Sequence, residues 1–184
     1  FCIYILANTT EGLELTLNSI SRQKYPFVDV KIFAKTKFSF KMLPKHINSL
    51  EVIESADDQT VLDALSTTSY AYGALLQSGD EYAEGALLAA KNIFKRFVDI
   101  HWLYGIVVSK KNGILLAPKP ICKRRFTERL ITAEVEATGT TSLRSAGLFF
   151  SEHIAKESIL KMKLNTPSSI QQNLWCQFVK DTPL

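Results

Sequence analysis

Four short apolar runs, each of strand length and each followed by a polar break, constrain what this chain can fold into. The first, "FCIYIL", stops at "ANTTEG", where Thr9 or Thr10 can cap a helix whose apolar positions, Leu13, Leu17 and Ile20, repeat at helical spacing until "QKYP" ends it. "VDVKIFA" is the second run, and "LEVIES" the third after the turn-rich "KMLPKHINS". "QTVLDALSTTSYA" then spaces Val61, Leu62 and Leu65 as a crossover helix does, and "YGALLQS" is the fourth run. Strand, helix, strand, strand, helix, strand is the opening of a parallel α/β sheet, because parallel neighbours need crossovers long enough to return the chain to the same end.

The second half changes character. "EGALLAAKNIFKRF" is a strong helix with Ala86, Leu87, Ala90, Ile93, Phe94 and Phe97 expected on one side. "HWLYGIVVS" predicts a further strand, "KKNG" a hairpin turn and "ILLAPKPI" its partner, so pairing shifts toward antiparallel. "TTSLRSAGLFFSEHIAKESILKM" predicts a strand and a following helix, and "SSIQQNLWCQFVK" a last amphipathic helix capped by Ser168 or Ser169 after Pro167. The expected class is α/β, with a mixed, mostly parallel sheet flanked by helices.

Length and composition bound the rest. At 184 residues the chain is expected to form one domain over residues 1–184, and its 46% hydrophobic and 22% charged residues are those of a globular protein. No apolar run approaches the roughly 20 residues that span a bilayer. Phe1 begins directly on a strand, with no initiator methionine or polar leader, so the chain reads as a piece excised from a longer protein with neighbouring domains. The three cysteines, Cys2, Cys122 and Cys176, lie far apart in apolar contexts, without metal or disulfide spacing, which predicts buried thiols in a reducing, cytoplasmic setting or at the inner face of a membrane. The net charge of +4 gathers at Lys119, Lys123, Arg124 and Arg125 as a solvated basic face or an anion-binding one, and nothing beside it predicts a nucleic-acid partner. His46, His101 and His153 share no metal-ligand spacing, Trp102 and Trp175 sit in apolar runs that read as core, and Ser145 and Ser151 lack a nucleophile elbow.

One acidic residue stands apart. Asp80, in "LLQSGDEYAEGAL", falls between the fourth strand and its helix, where open α/β sheets bind ligands. Its plain alternatives are the cap of a helix starting near Tyr82 to Glu84, or a turn residue after Gly79. Asp58 precedes the Val61–Leu65 helix, where an N-cap is the alternative, with Asp57 one residue away; Glu11 supplies charge at the start of the first helix.

In order and spacing these pieces resemble the GT-A fold of the family 2 glycosyltransferases over nearly the whole chain. "IYILANTTEGLELTLNSISRQKYPFVDVKIFA" is similar to that family's first strand, its "N-x-x-E-x-L-x-x-T-L-x-S-I-x-x-Q-x-Y-P" helix and its second strand. "SADDQTVLDALS" is similar to its "S-E-P-D-x-G-x-x-D-A-x-N" segment, "LLQSGDEYAEGAL" to the variant with "L-N-S-G-D" in place of "D-x-D", and "WLYGIVV" to the "W-x-Y-G" strand. The resemblance implies transfer of a sugar from a nucleotide-diphosphate donor to a glycan, lipid-linked or other hydroxyl acceptor, as in polysaccharide biosynthesis. It implies that Asp80 holds a divalent metal, Mn2+ or Mg2+, on the donor diphosphate, that Ser78 stands where the first Asp often sits, and that Asp58, with Ser78 and Asp80, binds the nucleotide sugar. The chemistry is coherent, since a hard cation on oxygen ligands neutralises charge on the leaving nucleotide.

Two positions depart from the pattern. Ala34 occupies the place of an Asp that binds the base, and Gln171 that of the catalytic base, where an amide cannot accept a proton at neutral pH. Glu152, Glu134 and Glu136 are the carboxylates that could replace it. The second reading is therefore a catalytically degenerate GT-A-like domain with a structural or protein-interaction role beside an active partner domain.

Overall fold

A computed structural model of the protein describes residues 1–7, 12–35, 44–55, 57–111, 114–116, 145–161 and 177–178. The first half follows the expected alternation: β1 (Cys2–Ala7), α1 (Leu13–Ser21), β2 (Val28–Ala34), β3 (Ile47–Ile53), α2 (Asp58–Ser66), β4 (Tyr72–Gln77) and α3 (Ala86–Arg96). The second half adds β5 (Trp102–Tyr104), a small hairpin of β6 (Lys110–Lys111) and β7 (Ile114–Leu115), a 3-10 turn (Ser145–Gly147), β8 (Leu148–Ser151) and α4 (Glu152–Lys161).

The main sheet has the order β3-β2-β1-β4-β8-β5. β3, β2, β1 and β4 are mutually parallel, while β8 runs antiparallel to both β4 and β5. The sheet is therefore mixed and mostly parallel, as expected. The chain starts at β1, moves outward through β2 to β3, then returns across β1 to β4, so β1 and β4 flank a topological switch point. Right-handed crossovers in opposite directions put helices on opposite faces.

That winding explains why the central strands are apolar on both sides. Ile3, Ile5, Ile32, Ala34, Ala74 and Leu76 pack against Leu13, Leu17 and Ile20 of α1 and Leu87, Ala90 and Phe94 of α3. Cys2, Tyr4, Phe33 and Leu75 face Val61, Leu62 and Leu65 of α2, Ile154 and Ala155 of α4, and Phe178. A strand covered on both faces reads as an unbroken apolar run, which is the form of "FCIYIL". β3 lies at the edge, where Asn48, Ser49 and Glu51 are exposed, and polar edge residues discourage pairing with a second chain.

α1 starts at Leu13 with Gly12 in the left-handed N-cap position and close to Gly79, while Thr9 and Thr10, expected to cap it, lie outside the described residues. Three expectations change. On α3 the buried stripe is Leu87, Ala90 and Phe94, whereas Ile93 and Phe97 are 39% and 48% exposed, because the helix ends at Arg96 and only the narrower stripe meets the sheet. β5 stops at Tyr104: the Gly105 N–H donates to the Gly147 carbonyl at 2.8 Å, and Ile106 beyond it is 74% exposed. The histidines His101 and His153, unrelated in sequence, meet with ring centroids 4.8 Å apart. The expected buried thiol is present at Cys2, and Trp102 is core, while Cys122, Cys176, Trp175, the Lys119–Arg125 cluster and most of the last predicted helix lie outside the described residues.

Candidate functional site

The carboxyl ends of β1, β2, β3 and β4 share one edge of the sheet, where two of the sequence-predicted residues follow their strands: Asp80 follows β4 and Asp58 follows β3. With strands about 4.8 Å apart, the two lie on the order of 14 Å from one another across β1 and β2.

Asp80 closes a tight turn. Its backbone N–H donates to the Gln77 carbonyl at 3.0 Å, and its carboxylate Oδ2 accepts the Gln77 N–H at 2.8 Å. Gly79 inside the turn has φ +98°, a left-handed value that favours glycine. The helix after it starts at Ala86 with Gly85 as N-cap, so Asp80 is not that helix's cap. Of its two plain alternatives the turn is realised, and it holds the carboxylate at the end of β4. The Ser78 N–H donates to the Leu6 carbonyl at 3.1 Å, tying the same turn to β1.

The turn rests on α1 through side chains that the apolar periodicity did not single out. The Gly79 N–H donates to Thr16 Oγ1 at 2.9 Å, and the Tyr82 N–H to Ser19 Oγ at 3.1 Å. Gln23 Nε2 donates to the Ala83 carbonyl at 2.9 Å, and its Oε1 accepts the Leu87 N–H at 3.4 Å. Thr16, Ser19 and Gln23 are all buried and form a polar ladder beside Leu13, Leu17 and Ile20. Their spacing of three and four residues is the signal that could have found them. The closest approach is backbone to backbone: a Cβ placed on Gly12, whose φ is +84°, meets Gly79 Cα at 2.8 Å. Below the turn, Tyr82 is buried against Phe149 with ring centroids 5.4 Å apart, and its hydroxyl titrates above the ordinary tyrosine range because burial, then the negative Asp80, disfavours the phenolate.

Asp58 and Asp57 divide their roles. Asp57 is the N-cap of α2, accepting the Thr60 N–H at 2.9 Å and the Thr60 hydroxyl at 2.6 Å, with Ser55 Oγ donating as well. Bonds from the Ser55 and Thr60 hydroxyls and the Thr60 N–H hold its carboxyl well below the usual range. Asp58, for which an N-cap is the alternative to a donor contact, is the first helical residue and half-buried, so the cap role falls to Asp57.

Other candidates are displaced. Ala34 ends β2 fully buried, with its methyl packed in the α1/α3 core. Glu152, named as a substitute base, lies at the opposite end of the sheet: β8 is antiparallel to β4, the Glu152 N–H donates to the Ala71 carbonyl at 3.0 Å, and its carboxylate pairs with Lys156. That places it away from any ligand at Asp80. His101, Ser151 and His153 line a cavity at this same amino end. Among the described residues no three His, Cys, Asp or Glu side chains form a metal cluster. Glu11, Glu134, Glu136 and Gln171 lie outside the described residues.

The Asp80 edge nonetheless fits a divalent cation of the hard kind. Its candidate ligand is a carboxylate held in place by the turn, and magnesium-type sites use one or two carboxylates plus substrate phosphates and waters. A cluster of protein ligands is not required.

A scan against protein-family models finds no match, and neither does a search of curated protein sequences. Solved structures do match. Staphylococcus aureus TarS superposes with a TM-score of 0.63 at 13% identity over 96% of this chain and 34% of that one. TarS 1–349 matches with the same score and identity over 55% of its length, and its complex with UDP has a TM-score of 0.61 over 95% of this chain and 53% of that one. The fold is GT-A-like. This chain spans between a third and little more than half of the TarS chains it matches.

Proposed function

We propose that this is a glycosyltransferase-type domain that binds a nucleotide-diphosphate sugar across the β1/β4 switch point, with Asp80 on a divalent metal, Mn2+ or Mg2+, at the diphosphate. The observation that carries the reading is the Asp80 turn: a carboxylate anchored by the Gln77 N–H at the carboxyl end of β4, in a GT-A-like sheet. The TarS structure solved with UDP supports it, as does the ordered motif resemblance to the family 2 enzymes. In this reading Asp58 contacts the nucleoside side of the donor and Ser78 the phosphate side. The metal, when bound, neutralises charge on the departing nucleoside diphosphate. The acceptor is a glycan, lipid-linked or other hydroxyl.

The test is thermal denaturation with UDP and Mn2+ together and separately. A ligand at 100 times its dissociation constant stabilises by about 2.7 kcal/mol, so binding raises Tm visibly. Asp80→Ala should abolish the metal-dependent part. Unchanged Tm with every common nucleoside diphosphate, with Mn2+ or Mg2+ present, refutes the reading.

A second reading, binding without transfer, is favoured by two particular residues. Ala34 is a buried methyl where the family's base-contacting Asp stands, and Glu152 lies at the wrong end of the sheet to serve as base. In that case Asp80→Ala leaves any sugar transfer by the protein intact, and a large loss argues for catalysis in this domain.

A further inference from the structure

Thr16 is fully buried on the α1 face that carries Leu13, Leu17 and Ile20, with Ser19 as its polar neighbour one turn on. Its Oγ1 donates to the Gly12 carbonyl at 3.3 Å and accepts the Gly79 N–H at 2.9 Å. One side chain thus bridges the segment that enters α1 after β1 and the turn that leaves β4, the two walls of the switch point. The walls are also joined by the Gly12–Gly79 backbone contact, by the Ser78 N–H on the Leu6 carbonyl and, one residue past Asp80, by the Arg22–Glu81 ion pair at 3.0 Å.

We propose that Thr16 is a positioning residue that sets the Asp80 carboxylate for its metal. Gly79 is the residue before Asp80 and the left-handed pivot of its turn. The Thr16 bond restrains that pivot from the α1 side; without it the turn keeps its bonds at Gln77 and Ser78 and, just beyond Asp80, the Arg22–Glu81 ion pair at 3.0 Å and the Ser19–Tyr82 bond, none of which touches Gly79. Metal–oxygen distances tolerate shifts of only about 0.2 Å, so a movement far smaller than a bond length costs affinity. Ser19 and Gln23 extend the same support down the loop, but Thr16 alone among them contacts the turn itself. The inference rests on the metal-nucleotide reading above.

The experiment measures Mn2+ uptake by the UDP-saturated chain, from the electron paramagnetic resonance signal of free Mn2+, with Tm recorded in parallel. Thr16→Val keeps the volume and removes the hydroxyl, Thr16→Ser keeps the hydroxyl, and Asn48→Ala removes a hydrogen bond to Asp29 at the far end of the sheet as a stability control. Supporting groups behind metal ligands are worth about 10- to 100-fold in metal affinity, so Thr16→Val should lose at least about tenfold. Thr16→Ser should restore affinity to within about threefold, and Asn48→Ala should lower Tm without touching Mn2+ uptake. Full Mn2+ affinity in Thr16→Val, an equal loss in Thr16→Ser, or an equal loss in Asn48→Ala overturns the inference alone. Absence of uptake by the unaltered chain overturns it together with the proposed function.

Discussion

Replacing Gly12 with alanine tests whether the two walls of the switch point are held by direct backbone contact. Two costs act at once. The φ of +84° is left-handed, which costs an L-residue about 1–2 kcal/mol. The added Cβ would also stand 2.8 Å from Gly79 Cα and 2.9 Å from Gly79 N, and both are backbone atoms with no rotamer to escape into. Relief requires the Asp80 turn to move away from α1, straining the Thr16–Gly79 hydrogen bond; overpacking of this kind costs about 1–3 kcal/mol more. Gly85 is the matched control, because its φ of +82° carries the same conformational cost while nothing lies within 4 Å of its Cβ position. Urea unfolding should therefore show Gly85→Ala destabilised by about 1–2 kcal/mol and Gly12→Ala by about 2–5 kcal/mol. UDP–Mn2+ binding should weaken in Gly12→Ala and persist in Gly85→Ala. If the two variants lose the same stability, within about 0.5 kcal/mol, the contact does not hold the walls and the reasoning fails.

Asp57 and Asp58 should separate cleanly. Asp57→Ala removes the α2 N-cap and should lower Tm with nucleotide affinity unchanged, whereas Asp58→Ala should weaken UDP binding about tenfold, the worth of one charged hydrogen bond, with little change in Tm. The reverse pattern in calorimetry would assign the ligand edge to the wrong aspartate. Alkaline pH should destabilise the fold through Cys2, whose thiol burial pushes from its ordinary value of 9.0 up to about 11. The folded state then holds a proton that the unfolded chain releases, so stability is complete below pH 9, falls between 9 and 11, and loses about 3 kcal/mol from this group. Buried Tyr4 and Tyr82 act in the same direction at higher pH, so Cys2→Ala should delay the onset of the loss in a pH series of urea melts without abolishing it.

Much of the fold was legible because a parallel sheet covered on both faces leaves a plain trace. "FCIYIL" is apolar throughout, and "VDVKIFA" and "YGALLQS" are largely so, since their apolar residues meet one helix layer or the other, and Asp80 follows the last of them. The pairing of Lys110–Lys111 with Ile114–Leu115 agrees in part with the expected hairpin, but Trp102–Tyr104 of "HWLYGIVVS" pairs with β8 rather than with "ILLAPKPI". Helix starts were less legible: Thr9, Thr10, Asp58 and Asp80 all have the chemistry of caps, yet Gly12, Asp57 and Gly85 occupy those places. Capping potential is shared by several adjacent residues, and packing selects among them.

By itself the sequence determined the alternation of strands and helices, the mostly parallel class and the presence of an acidic residue just after β4, because each follows from local periodicity and turn chemistry. Only the tertiary structure decided what surrounds that residue. The ladder of Thr16, Ser19 and Gln23, the Gly12–Gly79 contact and the removal of Glu152 to the far end of the sheet all join segments distant in sequence. No window of local sequence contains both halves of such a contact; the crossover that returns the chain from β3 to β4 brings them together.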